Sequence, residues 1–142
     1  MTADDFNSDE VESTQNFAEA LVEDQNSGLD ARDIAAIEAL PAGHALLIIT
    51  RGYEEGSRFL IDSDVTLVGR HPKADIFLDD VTVSRRHAEF VRTENSFKVR
   101  DLASLNGTYY NGRRVDEVLL EDGAEVQIGK FKLSFFSSKA GR

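Results

Sequence analysis

The chain has 142 residues and a formal net charge of −10, with no cysteine and three histidines. That composition excludes disulfide scaffolds, thiolate metal sites and cysteine nucleophiles. His44, His71 and His87 stand too far apart for a zinc-binding helix motif. No apolar run approaches the ~18 residues of a membrane span, and the acidic N-terminus lacks the apolar stretch of a secretory signal. Net negative charge argues against non-specific nucleic-acid binding. A cytoplasmic protein without a membrane or nucleic-acid partner is expected.

The charge is unevenly placed. Residues 1–40 carry eleven carboxylates and one base, Arg32, so the whole net charge lies there and residues 41–142 are balanced. Residues 1–40 therefore predict a disordered acidic tail ahead of one folded domain at 41–142. Two short helical patterns lie within the tail. Asn16 offers an N-cap with Glu19 at the capping-box position and Phe17 and Leu21 on one face. A second helix spans Asp30–Leu40, where Ile34 and Ile37 are three apart. Pro41-Ala42-Gly43 marks the boundary.

Beyond Gly43 the chain turns to short β-prone runs between turn residues. Strands are predicted at Ala45–Thr50, Arg58–Ile61, Thr66–Val68, Ile76–Leu78, Ala88–Arg92, Phe97–Asp101, Thr108–Tyr110, Val115–Leu119, Glu125–Ile128 and Phe131–Phe136. Phe97 and Val99 alternate with Lys98 and Arg100, and Phe131, Leu133 and Phe135 with Lys132 and Ser134. Turn signals such as Asn106-Gly107, Asn111-Gly112 and Asp122-Gly123 recur at short intervals. This pattern predicts an all-β sandwich.

Three loops are rich in polar groups: Gly69-Arg70-His71, Thr82-Val83-Ser84-Arg85-Arg86-His87 and Ser104-Leu105-Asn106-Gly107-Thr108. Guanidinium groups, hydroxyls and an amide at strand ends suit a dianion, because charge-assisted hydrogen bonds contribute roughly 1.5–3 kcal/mol each. The acids Asp75, Asp79 and Asp80 lack calcium-loop spacing and suit a solvated turn. No nucleotide-binding or hydrolase motif occurs, so an enzyme is not expected and no cofactor is implied.

Gly69-Arg70, Ser84-x-x-His87 and Asn106-Gly107, in this order and spacing, resemble the signature of the forkhead-associated (FHA) domain. The longer strings GRHPKADIFLDDVTVSRRHAEF, SLNGTYYNGRRV and EVQIGKFKLSFF resemble the small actinobacterial regulators of the GarA and oxoglutarate dehydrogenase inhibitor family. The resemblance covers roughly residues 40–136. It implies a sandwich of about eleven strands that binds phosphothreonine. By position, Arg70, Ser84 and Arg85 would hold the phosphate, Asn106 the peptide main chain, and Thr108 the phosphothreonine methyl. Gly69, His87 and Gly107 would brace the loops. Arg86 either touches the peptide or remains solvated.

Val11-Glu12-Ser13-Thr14-Gln15-Asn16-Phe17 is similar to the family's tail segment, in which a serine/threonine kinase marks a threonine that the protein's own FHA pocket then captures. Thr14 is the acceptor that this implies, with Ser13 as the alternative. The family further implies that a monomer with an unmarked tail inhibits the 2-oxoglutarate dehydrogenase E1 component, and in some relatives adjusts glutamate dehydrogenase and glutamate synthase. A different function, recruitment of phosphothreonine proteins in trans with an inert tail, fits the same pocket.

Overall fold

Two antiparallel sheets stack face to face in the computed structural model, which describes residues 29–140. The elements in chain order are α1 (Ala31–Glu38), β1 (Ala45–Arg51), β2 (Arg58–Ile61), β3 (Val65–Gly69), β4 (Ile76–Phe77), β5 (Ala88–Arg92), β6 (Phe97–Asp101), β7 (Thr108–Tyr110), β8 (Arg113–Val115), β9 (Glu117–Leu119), β10 (Glu125–Ile128) and β11 (Phe131–Ser137). One sheet runs β9-β6-β5-β3-β4 and the other β2-β1-β11-β10-β7-β8. Only the short β3–β4 pairing is parallel among the described residues.

Side-chain alternation fills the space between the sheets. Leu47 and Ile49 of β1, Phe131, Leu133 and Phe135 of β11, and Val126 and Ile128 of β10 face Val68, Phe90, Phe97 and Val99 of the other sheet. All of these are essentially inaccessible to solvent. Phe97 and Phe135 meet edge to face with centroids 6.2 Å apart, the geometry that ring quadrupoles favour.

The expected β-sandwich of about eleven strands is therefore present. One predicted strand requires correction. Val115–Leu119 is two strands: β8 pairs with β7 in the six-stranded sheet, whereas β9 pairs with β6 in the other. The chain changes sheets at Asp116, whose carbonyl accepts the Asp101 N–H at 2.8 Å.

The tail boundary also moves. Residues 29–40 belong to the folded body, because α1 closes the outer face of the six-stranded sheet. Leu29, Ile37 and Leu40 pack on Leu46, Ile48 and Phe136. That is why Leu46, Ile48 and Phe136 are buried although they point away from the main core. A capping box starts the helix: Asp30 accepts the Asp33 N–H and Asp33 accepts the Asp30 N–H, at 2.9 and 3.0 Å. Arg58 of β2 lies 3.6 Å from Asp33. The Pro41-Ala42-Gly43 segment is then the turn that leads from α1 into β1, with Gly43 at φ +80°. The helix expected from Asn16 lies outside the described residues, as do Ser13 and Thr14.

Among the described residues no helix is long and apolar enough to cross a membrane.

Candidate functional site

The three polar loops meet at one end of the sandwich, and the meeting depends on a glycine. A methyl group at Gly69, the last residue of β3, would lie 2.0 Å from the Arg85 carbonyl oxygen and 3.2 Å from that of Ser84. Only a residue without a side chain lets the Ser84–Arg85 backbone cross the strand end. The first two loops are then joined by hydrogen bonds. Arg70 N–H donates to Ser84 O at 3.0 Å, and Arg70 Nε donates to Val83 O at 3.0 Å. Anchoring through Nε leaves both terminal nitrogens of Arg70 facing solvent, and its side chain is exposed.

His87 joins the second loop to the third. It is fully buried. Its Nδ1 accepts the Ser84 N–H at 3.0 Å, so Nε2 carries the proton and donates to Gly107 O at 2.8 Å. Burial pushes the His87 pKa below its ordinary value, against the opposing influence of Gly107 O and the Asp101 charge. A neutral imidazole is what this double role needs, since a proton on Nδ1 would displace the Ser84 N–H.

The third loop is folded around Asp101 at the end of β6. Its carboxylate accepts from Ser104 Oγ at 2.5 Å, Ser104 N at 3.1 Å and Thr108 Oγ1 at 2.7 Å. Ser104 Oγ in turn accepts the Gly107 N–H at 2.9 Å. Burial opposes ionisation of Asp101, but these donors outweigh it and hold the carboxyl below its usual range.

A fourth segment, the β10–β11 turn, supports the same end. Asp80 accepts from Thr82 N at 2.9 Å and Thr82 Oγ1 at 2.6 Å, and Lys130 Nζ lies 3.1 Å from it. These bonds hold the Asp80 pKa at about 2. Thr82 Oγ1 accepts the Lys130 N–H at 2.9 Å. The main chain at Thr82 is pinned against Gly129, where a methyl group would lie 2.5 Å from Thr82 Oγ1. Thr82 O then receives the Asn106 side-chain amide at 2.9 Å. Tyr53 completes the buttress, with its hydroxyl on Asp79 O, its ring under Lys130 and its edge on Phe131.

What remains pointing outward is a small set of donors. Arg70 presents two guanidinium nitrogens. Ser84 Oγ accepts the Leu105 N–H at 2.9 Å, which leaves its own O–H free to donate. Asn106 is exposed and retains its carbonyl oxygen and second N–H beyond the Thr82 bond. Arg85 and Arg86 are exposed, as are the apolar Val81 and Leu105, with 87% and 83% of their surfaces in solvent. Converging N–H and O–H donors, with no carboxylate within ion-pair distance of Arg70, Arg85 or Arg86 among the described residues, suit an anion carried on an extended chain.

Thr108 departs from the expected role. It is fully buried and bonded to Asp101, so it cannot touch a ligand methyl and instead fixes the loop from beneath. Its position at the start of β7, paired with Val115 and Ile128, directs it inward. Sequence reasoning missed Asp101 and Gly129, and it read Asp80 as part of a solvated turn, whereas its carboxylate is largely covered and holds Thr82 and Lys130. Asp101-x-x-Ser104 is a short-range turn signal that was available, whereas Gly129 contacts a loop 47 residues earlier and left no local sign. Among the described residues no three His, Asp or Glu side chains cluster as for a metal.

The FHA domain family matches residues 66–129, which include all three loops. The oxoglutarate dehydrogenase inhibitor of Corynebacterium jeikeium is 51% identical over 129 residues, covering 89% of this chain and 89% of that protein. The chain belongs to this FHA family. A second relative, the glycogen accumulation regulator GarA of Mycobacterium tuberculosis, is 58% identical to the FHA protein over 104 residues. That alignment covers 73% of this chain and 64% of GarA. A solved structure concerned with phosphothreonine-dependent FHA domain interactions has a TM-score of 0.61 and 28% identity to it, over 66% of this chain and 95% of that one.

Proposed function

We propose that this FHA protein is a phosphothreonine-reading regulator, not an enzyme, whose tail carries its own switch. The observation behind the proposal is the convergence of Arg70, Ser84 and Asn106, one from each loop, on a frame braced by buried His87. Arg70 and Ser84 bind the phosphate oxygens together with Arg85, Asn106 bonds the peptide main chain, and Gly69, His87 and Gly107 fix the loops. Each charge-assisted bond contributes roughly 1.5–3 kcal/mol, so three at the upper end of that range reach the ~8 kcal/mol of micromolar affinity.

A serine/threonine kinase modifies Thr14, or Ser13 as the alternative, and the pocket captures the mark within the same monomer. Fourteen residues lie between Thr14 and Leu29, where the folded body begins. They span at most about 50 Å, against a radius of gyration of ~13 Å for a domain of this size. Tethering at an effective concentration on the order of 1 mM, set against a pocket affinity of about 1 μM, favours closure by ~10³. With an unmodified tail the same cytoplasmic protein presents an open face that binds and inhibits the 2-oxoglutarate dehydrogenase E1 component, as the names of its relatives support. The same face adjusts glutamate dehydrogenase and glutamate synthase.

Calorimetric titration of the full chain with a peptide of residues 9–22 tests the reader. Micromolar binding with Thr14 phosphorylated, and none without phosphate, is the expected result; failure of every phosphothreonine peptide to bind would refute it. The switch is tested separately by inhibition of E1. Kinase treatment should relieve inhibition by the wild type and leave Thr14→Ala inhibitory. Equal relief of both would instead favour an adaptor that recruits phosphothreonine proteins in trans.

A further inference from the structure

Arg114 is a second outward-facing cation at this end, beside Arg70, that packs against one of the loops. Its side chain occupies the space over Gly107: a methyl group there would meet Nε at 2.7 Å, Cζ at 2.9 Å and Cδ at 3.2 Å. Gly107 stands at φ +85°, next to Asn106 in the chain. Arg114 reaches it from β8, where it pairs with Tyr109 of β7. The side chain is exposed, and among the described residues no carboxylate lies within ion-pair distance of it. By contrast Arg92, Lys98, Arg100, Lys132 and Lys139 on the strands are paired with acids, and Lys130 with Asp80. A planar cation held against backbone, one residue from the group that would grip the peptide main chain, is placed for a second anion.

We infer that Arg114 recognises a carboxylate flanking the phosphothreonine, so that the site selects acidic phosphopeptides. The inference rests on the phosphothreonine reading above and adds the ligand's neighbouring chemistry to it. The chain itself holds such a segment. Residues 1–28 contain eight carboxylates and no lysine or arginine, and Glu10 and Glu12 stand four and two positions before Thr14. Their charge complements an end of the domain where Arg70, Arg85, Arg86 and Arg114 have no carboxylate within ion-pair distance among the described residues.

The test is fluorescence anisotropy on the full unphosphorylated chain with two labelled peptides of residues 9–22, both phosphorylated at Thr14. One keeps Glu10 and Glu12; in the other both are glutamine. The wild type should bind the acidic peptide about fivefold more tightly, and Arg114→Gln should abolish that preference while leaving the neutral peptide unaffected. Equal weakening of both peptides, or none, would overturn the inference. So would an equal loss of preference in Arg113→Gln, which removes the same charge from the adjacent position of β8 and would reduce the effect to general attraction. Failure of the wild type to bind either peptide, or undiminished binding by Arg70→Ala, would instead remove the phosphothreonine reading on which the inference stands.

Discussion

Gly69 and His87 do opposite things for the loops: one yields space and the other fills it. Adding a methyl at Gly69 drives it into the Arg85 carbonyl, 2.0 Å away, and that atom is backbone and cannot swing aside. Gly69→Ala should therefore cost about 1–3 kcal/mol in urea unfolding and abolish phosphopeptide binding, since the Ser84–Arg85 segment must lift. His87 sets a pH dependence instead. Its pKa is lowered in the fold by burial, so below about pH 6.5 the unfolded chain takes up a proton that the folded chain refuses. Stability contributed by neutral His87 is complete above that pH and declines as pH falls toward the folded value, by at most ~1.4 kcal/mol per pH unit. Urea midpoints at pH 7.5 and 5.5 should show the decline, and His87→Gln should flatten it. A wild-type midpoint that did not fall would contradict the neutral double role.

Helix α1 shows what an element contributes when it covers a sheet. Ile37 is buried beneath it against Leu46, Ile48 and Phe136, so Ile37→Ala should destabilise by about 2–4 kcal/mol, measured by thermal or urea unfolding. A change under about 0.5 kcal/mol would mean the helix does not dock in solution. The helix was legible from Ile34 and Ile37, but its docking was not, because the apolar outer residues of β1 read as part of a single buried run. Strands β2, β5, β6, β7 and β10 matched their sequence boundaries because alternating runs end at turn residues there. Val115–Leu119 did not, since nothing in a five-residue β-prone run signals that one residue hands the chain to the opposite sheet. The three polar loops that meet at one end of the sandwich were legible from their residue types and spacing. Their supports were not: Asn106 on Thr82 and Lys130 on Thr82 join positions 24 and 48 residues apart. Thr108 was misplaced for a related reason, as motif spacing does not say which way the first residue of a strand points.

At the scale of the whole molecule, charge and shape are divided between two regions. Residues 1–40 carry the net −10 while residues 41–142 sum to zero, so attraction between them is local to the cationic loop end and is screened over about 10 Å at 0.1 M salt. If the tail occupies the pocket once Thr14 is phosphorylated, an added phosphopeptide must compete with a ligand at millimolar effective concentration. The phosphorylated chain should then bind that peptide about 10³-fold more weakly than the unmodified chain. Unchanged affinity in the calorimeter would show that the pocket remains open.

The docked helix also governs how this protein should be shortened in the laboratory. A chain begun at residue 41 keeps both sheets and every loop of the site, yet strips the cover from Leu46, Ile48 and Phe136. The bared strip is apolar and lies on the adjacent inner strands β1 and β11 of its sheet. Bait proteins cut there would collect sticky companions, and a partner list gathered with them would describe the wound left by truncation instead of the binding face.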